Sequence, residues 1–133
     1  MLLTCFRHLA LLYAIGLAIG EAVLNSMQDQ WQYAPMWIID YLIVAYLLIG
    51  FWATRQGRHV ATLMSAYALS SGVMYMVFFL GLDPDVPEAA RLSSILFGLV
   101  GLVFAISVLG LVGTSIVWLR QEARRVSDHS SLH

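Results

Sequence analysis

Apolar residues fall in four long runs separated by short polar breaks. The first is continuous from Leu9 to Leu24, could extend back towards Leu2 if Arg7 snorkels, and is set at about 6–25; the others cover about 36–54, 60–82 and 92–119. A transmembrane helix needs roughly 17–25 mostly apolar residues, which the middle two runs supply. The fourth is longer than a bilayer requires, so it is expected to tilt or to project a turn or more beyond the membrane. None of the runs alternates between apolar and polar residues as a barrel wall does. The pattern therefore predicts an all-α integral membrane protein, with four transmembrane helices in an up-down-up-down bundle.

The breaks carry turn chemistry. Asn25 to Pro35 is polar, and Pro35 presets the entry to the second helix. Arg55-Gln-Gly-Arg-His59 is a tight connection in which Gly57 is free to take a positive φ. Asp83 to Glu88 contains two prolines and offers carboxylates to the positive start of the fourth helix. No repeat, linker or second domain interrupts the transmembrane domain over 1–120. Residues 121–133 read as a short polar cytoplasmic tail, fraying beyond Val126.

The arginines set an expected orientation. Arg7, Arg55, Arg58, Arg120, Arg124 and Arg125 fall on one side of a four-span bundle. The other side has Arg91 together with Asp29, Asp83, Asp85 and Glu88. The positive-inside rule then puts both termini in the cytoplasm. Trp31, Tyr33 and Trp37 would mark the outer interface, and Trp52 and Trp118 the inner one. Short loops and an arginine-only basic set fit a bacterial inner membrane.

Composition strengthens the membrane reading. Hydrophobic residues make up 60% of the 133 and charged residues 11%, and the mean hydropathy is +0.79. A soluble domain carries roughly 25% charge, so a water-soluble monomer is excluded, as is a polar disordered chain. Seven arginines against eight acids leave a net charge of −1, with no basic excess to recruit nucleic acid. A single cysteine, Cys5, rules out an intramolecular disulfide and any cysteine-based zinc motif. Arg7-His8, the apolar run after it and Ala18-Ile-Gly20 have the outline of a signal peptide, but the segment is read as a retained helix.

Ionisable groups inside apolar spans are costly and mark candidate sites. Glu21 and Asp40 are the two, at similar depth in the outer leaflet. Ala14, Ala18, Glu21 and Asn25 share one small and polar helix face, and Ala68, Ser71 and Tyr75 form a comparable seam on the third span. A cluster of Glu21, Asp40, Tyr75 and Arg91 is thus expected at the outer side. It reads either as a proton-responsive or cation-binding vestibule, or as structure, with Arg91 paired to Asp40 and Glu21 bonded between helices.

Other residues offer weaker chemistry. Met27, Met36, Met74 and Met76 lie towards the outer side, where thioethers suit Cu(I) but equally fill apolar gaps. His8 and His59 sit at the opposite boundary, placed to ligate haem or to act as ordinary interfacial groups. Cys5 and His8 lack a third partner for a metal site or a catalytic dyad. No catalytic motif is present, so no enzyme activity, metal or cofactor is expected.

Small residues recur at helix-packing spacing. Gly16 and Gly20 form a literal GxxxG, and Ser94, Gly98, Gly101 and Ala105 make a groove on the fourth span. Such faces serve packing within the chain or receive a partner helix, from another membrane protein or a second copy. The expected function is that of a non-enzymatic accessory subunit or assembly partner in a larger membrane complex.

The size, the four spans and the acid within Ile19-Gly-Glu21-Ala-Val23 resemble the small multidrug resistance transporters. That family carries its acid nearer mid-membrane and has a glycine-rich third helix with a central Trp, neither of which is matched here, and it lacks an acid like Asp40. The resemblance implies the second function class, a homo-oligomeric proton-coupled small-molecule carrier working through Glu21 and Asp40.

Overall fold

The computed structural model describes residues 1–27, 34–85 and 93–130, and the side chains of 1–23, 38–85, 93–125 and 127 within them. Four α-helices dominate the described residues, with no strand among them: α1 Leu2–Met27, α2 Ala34–Ala53, α3 Val60–Leu80 and α4 Ser94–Ser130. Each contains a stretch long and apolar enough to cross a membrane, namely Leu2–Val23, Ile38–Gln56, Val60–Leu80 and Ser94–Arg125.

The local chemistry explains where the helices stop. α2 gives way to a 3-10 turn over Thr54–Gln56, where the buried Thr54 hydroxyl donates back to the Gly50 carbonyl at 2.7 Å. Gly57 then takes φ +73°, and its N–H donates to the Thr54 carbonyl. His59 follows with φ +55°, a left-handed conformation unusual for a side chain of that size. α3 ends at Leu80, two residues short of the apolar run, as Leu82 and Asp83 bond back to the Phe79 and Leu80 carbonyls. The Asp83 carboxylate then accepts the Asp85 N–H. At the start of α4 the Ser93 hydroxyl accepts the Leu96 N–H, a serine N-cap.

α1 begins at Leu2, ahead of the expected residue 6. Arg7 can lie inside it because its guanidinium stacks on the Phe51 ring, 5.1 Å from the centroid. α4 continues through the polar segment to Ser130. Its 37 residues make a rod of about 55 Å against a hydrocarbon core of about 30 Å. Several turns of it therefore lie outside the apolar layer.

α3 and α4 share the most extensive contact, α2 packs against both α1 and α3, and α1 also meets α4. The shared core is made by Ala10, Tyr13 and Ala14 of α1, Ile43 and Leu47 of α2, and Leu63, Tyr67 and Met74 of α3. Tyr67 is its largest fully buried residue. Small residues let the backbones close in: a Cβ added to Gly50 would stand 3.0 Å from the Leu63 Cα. Meanwhile Leu12, Ile19, Leu42, Ile49, Leu102 and Leu109 all point outward. Apolar side chains around the whole circumference are unfavourable in water and match a lipid surround. The chain is thus an all-helical, multi-pass membrane protein.

Candidate functional site

Glu21 lies six residues before the end of α1 and Asp40 near the start of α2, both half-buried. The two carboxyl groups are neighbours across the α1–α2 interface. Among the described residues neither acid has an ion-pair partner. The juxtaposition expected of Glu21 and Asp40 is therefore present.

The rest of the expected cluster differs. Tyr75 is 52% exposed and packs against the Phe79 ring at 4.5 Å and the Phe104 ring at 6.1 Å, away from the acids. Arg91, and with it the proposed pairing to Asp40, lies outside the described residues. Tyr13, two helical turns before Glu21 on α1, is buried instead. Its hydroxyl is hydrogen-bonded to that of Ser70 on α3, and both residues are buried.

That bond belongs to a set of polar bridges that joins the helices in pairs. The Tyr46 hydroxyl of α2 donates to Ser65 of α3 at 2.7 Å, because Ser65 spends its own proton on the Thr62 carbonyl. Ser71 of α3 donates to Ser107 of α4 at 3.2 Å, and Ser107 in turn donates to the Phe104 carbonyl. Tyr67 donates to the Phe6 carbonyl of α1 at 3.0 Å while its ring lies parallel to that of Tyr13. In a dry interior each bridge fixes the register of two helices, because a slip would strand its polar atoms.

The small-residue faces divide cleanly. Ala14 is fully buried and Ala18 partly, so this side of α1 faces the core. Gly16 and Gly20 face outward, and a Cβ added to either would meet nothing within 4 Å. On α4, Ser94, Gly98 and Ala105 are exposed, whereas a Cβ on Gly101 would approach the Phe78 ring to 3.1 Å. The tight contacts of α4 lie further along, where a Cβ on Gly110 would enter the Tyr67 ring and one on Gly113 the Phe6 ring. These two glycines are absent from the expected packing set. Their signal is the buried Ser107, Gly110, Thr114 and Val117 recurring at three- and four-residue steps.

The metal-type residues do not converge. No group of three or more His, Cys, Asp or Glu is placed to hold a metal among the described residues. Met74 is buried in the core and Met76 points outward, while the Met27 and Met36 side chains lie outside the described residues. The His8 Nδ1–H donates to the Thr4 carbonyl at 2.7 Å, and the ring meets Phe51 edge-on. Chemically, the arrangement offers two neighbouring carboxyl groups and a set of hydroxyl bridges. No family model matches the chain, and comparisons with curated proteins and with solved structures also find no match.

Proposed function

We propose that this chain is a non-enzymatic subunit of a larger membrane assembly, in which α1 meets a transmembrane helix of another protein along Leu12, Ile15, Gly16, Ile19 and Gly20. The observation that carries this reading is the open space over Gly16 and Gly20, which leaves a GxxxG face unused by the chain's own packing. Helices associate in lipid through close backbone approach and van der Waals contact, so such a face is suited to a second helix. Leu12 and Ile19 flank it and point outward. Glu21 and Asp40 then serve structure, tying α1 to α2 so that the face is held rigid.

Replacing Gly16 and Gly20 together by Leu is expected to leave the monomer folded, since the added side chains meet open space. The same change should remove the partner from material purified in mild detergent. Retention of a stoichiometric partner by the double variant would sink the reading.

The accompanying arrangement is an up-down-up-down bundle in a bacterial inner membrane, with both termini in the cytoplasm. It rests on six arginines gathered on the side of Arg7, the α2–α3 connection and the end of α4. With Cys5 changed to Ser, a cysteine at Asp85 should react with an impermeant reagent added outside intact cells. A cysteine at Gln56 should react only after lysis, and labelling at Gln56 in intact cells would reverse the orientation.

A second reading is favoured by one specific observation, the close approach of Glu21 and Asp40. Two neighbouring carboxyl groups within apolar spans are the part a proton-coupled carrier needs. Four helices enclose little space, so such a carrier would work as a homo-oligomer.

A further inference from the structure

The geometry points to a phospholipid phosphate bound at the arginine-rich end, against Arg7 and the α2–α3 connection. Three helices and a turn converge there. The Arg7 guanidinium of α1 stacks on Phe51 and donates from Nη1 to the Arg55 carbonyl at 3.4 Å. From α4, Gln121 donates to the Gly57 carbonyl at 3.3 Å, which puts the turn of α4 that carries Arg120 at the same end as Arg55 and Arg58. The described ion pair at this end is Arg125 with Glu122, at 3.6 Å. Arg7, Arg55, Arg58 and Arg120 have no acidic partner among the described residues.

Arg7 sets this end apart from a generally basic surface. It is half-buried with its Nε buried and unpartnered among the described residues, the aromatic ring and the carbonyl hold it in place, and its Nη hydrogens not given to Arg55 are those left for an anion. Holding the guanidinium in advance lowers the ordering cost of binding an anion, a cost that an exposed chain such as Arg124 would meet in full. A planar guanidinium suits a phosphate oxygen pair. Arg7 lies within the first two turns of a membrane-spanning helix, at headgroup depth rather than in bulk water. The occupant is therefore the phosphate of an anionic phospholipid in the adjoining leaflet.

Tryptophan fluorescence tests this without any labelling chemistry. Trp52 and Trp118 lie exposed near this end of α2 and α4, and changing Trp31 and Trp37 to Phe leaves them as the reporters. The protein is placed in phosphatidylcholine vesicles doped with phosphatidylglycerol brominated on its acyl chains, or with equally brominated phosphatidylcholine. Phosphatidylglycerol should quench in excess of its mole fraction, and added inorganic phosphate should not relieve the quenching. Arg7→Gln should lower the selectivity about fivefold, the Boltzmann equivalent of one surface arginine, whereas Arg124→Gln should leave it unchanged. Should Arg7→Gln fail to fold, the exposed pair Arg55→Gln and Arg58→Gln must lower the selectivity instead. Equal quenching by the two lipids would overturn the inference, as would relief by inorganic phosphate, which marks a free-anion site. An Arg124→Gln effect as large as that of Arg7→Gln would also overturn it, since a diffuse field is then sufficient.

Discussion

Gly110→Ala is expected to destabilise the bundle by about 3 kcal/mol, near the upper end for an overpacked core. The added methyl falls inside the Tyr67 ring, which is fully buried. Tyr67 cannot swing aside cheaply, because its hydroxyl is bonded to the Phe6 carbonyl and its other face lies against Tyr13. Relief requires either a shift of α4 away from α3 or loss of the Tyr67 hydrogen bond, itself worth about 1 kcal/mol. Alanine's higher helix propensity returns up to about 1 kcal/mol and does not offset the clash. Gly98→Ala is the control, because a Cβ there meets nothing within 4 Å. Thermal unfolding in detergent should show a clear fall in Tm for the first variant and little change for the second.

The contrast shows what a linear reading captures. The four spans are legible because crossing a bilayer imposes a length and a composition that no other fold class shares. Glu21 and Asp40 stand out because charge inside an apolar run is rare. The glycines of α4 are harder to sort, since Gly110 and Gly113 repeat the spacing of Gly98 and Gly101 twelve residues further along and nothing local says which pair meets the other helices. That choice is made by Tyr67, a large side chain on another helix that needs a glycine opposite it. The polar partners behave likewise. By depth Tyr75 is the natural candidate, yet the rotation of the helices turns it onto Phe79 and turns Tyr13, two turns deeper than Glu21, onto Ser70.

The second large effect concerns the acids. Glu21→Leu should cost about 2–3 kcal/mol, because Asp40 keeps its half-buried carboxyl and faces a leucine in place of its polar neighbour. Glu21→Gln should be nearly silent, since the amide can donate to Asp40. Asp40→Asn should be similarly mild, since its amide can donate to Glu21. Removing both acids, Glu21→Leu with Asp40→Leu, should cost less than the sum of the two single changes, because no polar group is then stranded. Unfolding temperatures of these variants and of Asp40→Leu check the structural role. Proton flux in liposomes, measured beside them, should be the same for Glu21→Gln as for the parent chain. A normally folded Glu21→Gln variant that loses proton-coupled flux would promote the carrier reading.

The subunit account turns on what touches the outer face of α1. A photoreactive amino acid at Ile19, between Gly16 and Gly20, reports this directly in native membranes, with the same group at the outward-facing Leu109 of α4 as reference. Irradiation should give a discrete adduct from position 19, with the added mass of one other membrane protein, and only lipid adducts from position 109. Lipid adducts alone from position 19, or an adduct of exactly twice the chain's own mass, would contradict the account.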